Sequence, residues 1–268
     1  MHFRLPLFIS LLLMMCFVSC RNDEVSEFTD SPIIESYIQP GDYARIKITR
    51  QIPFSSEVTY SSDDINNLNI EFVLNQDTYT FKPLGDGLYI DSSLVVSEGD
   101  NYVLSFQFNS KNVIAYTYVP QKPKNVKQSA STIGIERISS GTFPSFGSMP
   151  DPVEISWDNA DNSYYLIVVE NIESTLDPIR DFGDNAPPSN FFRKQPTTSA
   201  SEQIRPLEFQ YYGTHRIIIY HVLPDYATLY DQNSTSSQNL TNPSTSIVNG
   251  YGIFTGLNSD TLWVEVKE

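Results

Sequence analysis

The amino-acid sequence predicts an all-β protein built from two tandem β-sandwich domains, and three observations carry that expectation. Short stretches alternate apolar and polar residues with a period of two, the mark of a half-buried strand. They are separated by turn residues at strand-like intervals, and no stretch sustains a long helical period. Near the middle, "VPQKPKNV" (119–126) crowds two prolines and two lysines together, and proline is poorly tolerated inside a sheet. The expected division is therefore a first sandwich over 33–120 and a second over 121–268.

The elements of the first domain follow in order. "YARIKITR" sets Ala44, Ile46 and Ile48 against Arg45, Lys47 and Thr49. "NIEFVL" and "TYTFKP" come next, and "LGDGLY" supplies a turn in which Gly85 and Gly87 are free to take positive φ. In "YVLSFQF", Tyr102, Leu104, Phe106 and Phe108 share one face. "NSKN" reads as a hairpin loop and "VIAYTYVP" as the returning strand.

The second domain restarts with "STIGIERI". "VEISWD" alternates Val153, Ile155 and Trp157 with polar residues, and "SYYLIVVE" is apolar on both faces, as a central strand would be. A long insertion is expected between about 171 and 207. "THRIIIYHVL" is a further strand, and "PDYATLYDQ" opens a short helix with Pro224 at its start and Asp225 near its N-terminus. "NGYGIFTG" and "TLWVEVKE" read as the last two strands. In the latter, Leu262, Val264 and Val266 share the apolar face while Trp263 stands with Glu265 and Lys267.

The N-terminus has a different character. Arg4 is followed by "LPLFISLLLMMCFVS" (5–19), without a charged side chain. A bilayer span needs about 20 apolar residues; a basic start and a shorter apolar run describe a secretory leader. The run closes on Phe17-Val18-Ser19-Cys20. An aliphatic residue, a small residue and a cysteine resemble the lipobox of bacterial lipoproteins, with Phe17 where leucine is usual. The resemblance implies a signal peptide over 1–19, lipidation of Cys20 and a polar tether over 20–32. With Cys16 removed, Cys20 is the mature chain's one cysteine, so no internal disulfide is expected. One acyl chain anchors weakly and two or more hold. The following Arg21-Asn22-Asp23-Glu24 looks like the surface-export signal of Bacteroidota-type lipoproteins, with a periplasmic face as the alternative.

The alternation around Trp157, the proline-rich lead-in and the closing strands resemble a fibronectin type III sandwich, with the N-terminal domain immunoglobulin-like. The chain as a whole resembles the Bacteroidota-type two-domain β-rich lipoproteins of unknown function. The lipobox, "GDGLYIDSSLVVSEGDNYVLSF", "AYTYVPQKP", "YYGTHRIIIYHV" and "SIVNGYGIF" carry that resemblance. It implies an outer-membrane lipoprotein associated with TonB-dependent transport, and it carries over no catalytic residue.

Charge and motifs restrict the chemistry. There are 17 Lys and Arg against 32 Asp and Glu, and removing the leader takes away only Arg4. That balance repels phosphate backbones and argues against a nucleic-acid partner. His215 and His221 are six apart on one strand, about 20 Å at about 3.3 Å per residue, too far for one metal, so no metal and no cofactor are expected. Neither G-x-S-x-G nor a phosphate-binding glycine loop occurs. Asp151, Asp158 and Asp161 read as loop carboxylates rather than a glycosidase pair. "DNADNS" (158–163) lacks the full calcium-loop pattern and reads as a polar turn.

No catalytic residues are therefore expected. The aromatic residues are the stronger signal: Trp263 on a polar strand face, and Phe182, Phe191 and Phe192 in the 171–207 stretch, are the candidate binding or partner contacts. The expected function is a lipid-anchored envelope protein, on the outer membrane and facing the exterior, that binds a nutrient or docks on a TonB-dependent transporter. The alternatives are a structural adhesin or assembly subunit, and then a hydrolase.

Overall fold

The computed structural model describes residues 30–51, 61, 63–139, 149–182, 185, 188–231 and 245–268. The stretch expected as signal peptide (1–19), Cys20, and residues 20–29 of the expected tether lie outside the described residues. Among the described residues the protein is nearly all strand, arranged as two β-sandwiches. In the first half the strands are β1 (Pro32–Ile38), β2 (Tyr43–Arg50), β3 (Glu71–Leu74), β4 (Asp77–Thr80), β5 (Lys82–Gly85), β6 (Leu88–Val95), β7 (Asn101–Phe108) and β8 (Lys111–Tyr118). In the second they are β9 (Lys127–Gln128), β10 (Thr132–Gly134), β11 (Val153–Ser156), β12 (Tyr164–Asn171), β13 (Asp177–Pro178), β14 (Phe191–Arg193), β15 (Ser201–Ile204), β16 (Tyr211–Val222) and β17 (Tyr251–Lys267). Two short helices are described, α1 (Asp63–Asn66) and α2 (Pro224–Asp231). Pro32 already belongs to β1, so the strand begins inside the stretch expected as tether.

Local sequence explains most elements. In β2, Ala44, Ile46 and Ile48 are buried while Arg45 and Thr49 are exposed, the pattern the alternation predicts. Asn109 and Ser110 both take positive φ (48° and 62°) between β7 and β8, the two-residue hairpin turn that suits the sheet's twist. α2 begins at Pro224 as expected.

A ten-stranded sheet runs through the whole molecule in the order β14-β12-β16-β17-β1-β2-β6-β5, with β10 on β17 and β13 on β16. A four-stranded sheet, β4-β3-β7-β8, closes over its first half, and a three-stranded sheet, β15-β11-β9, over its second. The second sandwich thus sets β9, β11 and β15 against β12, β14, β16 and β17, the fibronectin type III arrangement. The 171–207 stretch is no bare insertion. It supplies edge strands to both layers, β14 pairing with β12 and β15 with β11.

The closing strand differs from expectation. The two strands expected at the C-terminus are one strand of 17 residues. Tyr251–Gly256 pairs in parallel with β1, and Leu257–Val266 pairs antiparallel with β16. Among its even-numbered side chains Phe254 enters the first core, Val264 and Val266 enter the second, and Leu262 packs against the second. Ile247 also lies in the first core. A division at 120/121 therefore does not sort residues by core, because the end of the chain completes both sandwiches.

The linker is stitched to this strand. Asn258 Nδ2 donates to the Pro120 carbonyl at 2.9 Å and to Glu98 Oε2 at 2.8 Å. Glu98 also accepts from the Lys122 backbone N–H at 2.9 Å, and Lys122 Nζ pairs with Asp260 at 2.9 Å. His221 Nδ1 lies 2.8 Å from the Gln121 carbonyl, with its ring stacked on Tyr165. Gly256 sits where β17 changes partners. Its N–H bonds to Thr117 Oγ1, and a Cβ there would collide with the Tyr118 carbonyl.

Two substitutions test the shared strand. Phe254→Ala removes a fully buried ring that meets Phe72 edge-on at 5.7 Å, and the expected loss is about 3–5 kcal/mol in urea unfolding. Gly256→Ala forces β8 and β17 apart at the junction. The expected loss is about 2–3 kcal/mol, with the chain melting in two calorimetric transitions in place of one.

Candidate functional site

A two-layer sandwich buries one face of each sheet, and the other faces meet water as mixed polar surface. The outer face of the second half of the large sheet departs from this. β12 turns Tyr165, Ile167 and Val169 toward the second core, leaving Tyr164, Leu166, Val168 and Glu170 on the outside. β16 likewise turns Ile217 and Ile219 inward and Arg216, Ile218, Tyr220 and Val222 outward. Leu166, Val222 and Leu257 are buried in a third apolar cluster, with Val168, Tyr220 and Tyr226 packed against it. The two-sided apolar character of "YYLIVVE" and "RIIIYHV" is the sequence signal for this face. It fits not only a central strand but also a strand covered on both sides.

At the junction of the two halves this face forms a cleft of about 420 Å³. Its floor is Leu166, Val168, Val222 and Leu257. Tyr37 from β1, Tyr220 from β16 and Tyr226 from α2 form its walls, with Tyr37 and Tyr226 meeting edge-on at 6.0 Å. Glu35, Gln39 and Arg193 bring polar groups to it. It is an open cleft with polar and apolar groups in similar measure, and its size and its place at the junction of the two halves are those at which ligands commonly bind. α2 is held over the sheet by Asp225, which accepts from Thr255 Oγ1 at 3.1 Å. Burial pushes the Asp225 carboxyl above its ordinary range.

The strand register sorts the four aromatic residues singled out in the sequence. Phe191 pairs with Glu170, Glu170 with Arg216, and Arg216 with Trp263. Phe191 and Trp263 therefore stand in one row across four strands, about 14 Å apart at about 4.8 Å per strand. They are 52% and 49% exposed, and the Glu170–Arg216 ion pair at 2.5 Å lies between them. Arg216 Nε is buried without a hydrogen-bond partner. Phe192 points the other way, onto the second core, with Lys194 Nζ 6.0 Å from its ring. Phe182 is half-buried in a turn where its carbonyl accepts from Asn185 at 3.1 Å, and it makes no ring contact with the other three.

Most of the residues weighed for metal or acid–base chemistry have structural partners: those of the "DNADNS" turn and the two histidines. Asn159 Nδ2 donates to the carbonyls of Ser163, Thr198 and Ser199, closing the "DNADNS" turn. Asp158 accepts from Asn125 at 2.6 Å, and the Ser163 hydroxyl lowers the Asp161 pKa. His215 is buried, with Nδ1 3.0 Å from the Gly213 carbonyl and Nε2 3.4 Å from Asn171 Nδ2. That amide also donates to the Tyr212 carbonyl, so Nδ1 carries the proton and Nε2 accepts.

No family model and no curated protein matches the chain. Among solved structures, the chain is similar to domains A168–A170 of titin at 8% identity, over 88% of this chain and 67% of that one, with a TM-score of 0.23. A likeness at that score carries no argument.

His215 gives this half of the protein a pH dependence. Burial lowers its pKa, against smaller raising effects from the Gly213 carbonyl, Glu265 and Glu173. The unfolded chain then binds the proton first, so stability is full above the ordinary pKa of about 6.5 and is lost as pH falls below it. Urea midpoints at pH 8, 7, 6 and 5 are expected to fall more steeply for the wild type than for His215→Gln.

Proposed function

We propose that this is a lipid-anchored binding or accessory protein of a bacterial outer envelope, held by Cys20 and working beside a TonB-dependent transporter, with its partner or ligand seated on the outer face of the second half of the large sheet. The observation that carries the reading is that face itself. α2 covers Leu166 and Val222, but a two-layer sandwich has no structural need for Phe191 and Trp263 to stand half-exposed on the same face. Aromatic and arginine side chains around an apolar centre are the composition of interaction hot spots. The leader and lipobox pattern, together with the acidic tetrapeptide after Cys20, support the envelope location and the outward orientation. The reading is of a binding protein rather than an enzyme.

Two measurements test it. Affinity purification of the full chain from its detergent-solubilised native envelope is expected to bring down a β-barrel transporter, and Tyr220→Ala with Tyr226→Ala at the junction cleft is expected to reduce that recovery at least about fivefold. Recovery of no envelope component by the wild-type chain overturns the binding role. Separately, Cys20→Ala is expected to abolish acylation in mass spectra of the mature N-terminus and to release the protein from the membrane fraction.

A further inference from the structure

We propose that the row Phe191–Glu170–Arg216–Trp263 is a binding site for a neutral oligosaccharide lying across the strands. The inference rests on the outer face being the binding face and names the chemical class that part of it takes. Two exposed aromatic rings stand about 14 Å apart, farther than one small molecule bridges and within reach of a chain of several sugar rings. Between them is a charged pair instead of more apolar surface. Pyranose rings present C–H faces that stack on aromatic rings, while the hydroxyls around their rims both donate and accept hydrogen bonds.

The ion pair decides between occupants. Glu170 and Arg216 are both partly exposed, and one nitrogen–oxygen contact joins them. Glu170 thus keeps acceptor capacity and Arg216 keeps donor capacity. An apolar protein surface closing over the row strips water from these charges and returns nothing, which is unfavourable. A polyol replaces the lost water bonds one for one, donating to Glu170 and accepting from Arg216. An anionic chain meets Glu170 and the protein's net charge of −15; a neutral chain meets no such repulsion.

The test is titration of the detergent-solubilised full-length protein with maltohexaose, cellohexaose, mannohexaose and xylohexaose, using hexagalacturonate as the charged comparison. Heat of binding and tryptophan emission are both read. Trp157 is buried and Trp263 half-exposed, so a change in emission reports on the row. At least one neutral hexasaccharide is expected to bind, with Phe191→Ala and Trp263→Ala each weakening it about tenfold and Phe191→Tyr retaining it. Both positions are exposed, and unchanged melting of the two variants separates lost binding from lost fold. Absence of binding by all four neutral chains, or binding indifferent to both substitutions, overturns the proposal. If the same variants then still lose the envelope partner, the face binds protein and the broader reading stands; if they keep it, the partner binds elsewhere and the assignment of this face falls with the sugar site, while the binding role is decided by recovery with the wild-type chain.

Discussion

The structure depends on one strand being shared by two cores. β17 pairs with β1 through its first six residues and with β16 through the next ten, and its inward side chains are divided between two hydrophobic clusters. Backbone hydrogen bonds therefore run without interruption from one sandwich into the other. Two domains joined by a flexible linker move independently by default. Here a hinge motion would have to break the ladder on both sides of Gly256. It would also have to separate Asn258 from Pro120 and Glu98, and His221 from Gln121. The linker prolines, which in the sequence look like a free joint, are fastened along the strand that makes the joint rigid.

This explains what could and could not be read from the chain. Alternation in "YARIKITR", "YVLSFQF" and "VEISWD" reports burial directly, because a side chain's face is fixed by the pleat, and those strands stand where their pattern puts them. The continuity of β17 is not a local property. Leu257 to Asp260 fall between the two stretches that read as separate strands, yet Asn258 and Asp260 are polar where they bind the linker. β14 and β15 are short strands amid prolines and serines. Their pairing to β12 and β11 is set by the sheets they join, not by their own composition. Of the four aromatic candidates, Trp263 was legible from its parity against Leu262 and Val264. Phe191 and Phe192 were legible as a pair, though not which of the two faces water; only the register with Val169 and Glu170 decides that. The junction cleft, with Tyr37, Tyr220 and Tyr226, is assembled from residues nearly two hundred positions apart, and no window of sequence contains it.

The outer face is also where the fold stops explaining itself. Burying Leu166, Val222 and Leu257 outside both cores does not close either sandwich. α2 covers part of this cluster through Asp225 and Tyr226, so it has some structural use. Coverage ends before the Phe191 to Trp263 row, which lies beyond the cleft on the same four strands. Exposed aromatic residues there gain nothing for stability. Retaining them is understandable if something other than water occupies the row.

The parallel pairing of β1 and β17 sets where that row stands relative to the N-terminus. Ile33 lies opposite Tyr251, so the chain leading from Cys20 enters the molecule at the N-terminal end of β17. Trp263 is 12 residues further along the same strand, about 40 Å at about 3.3 Å per residue. With Cys20 held in a lipid leaflet as proposed, a rigid sheet lets the row stand up to that distance beyond the start of β1. A flexible junction would let the second sandwich fold back toward the bilayer and lose this reach. The shared strand removes that freedom, so the feature that completes both cores also fixes the distance between the start of β1 and the candidate binding face.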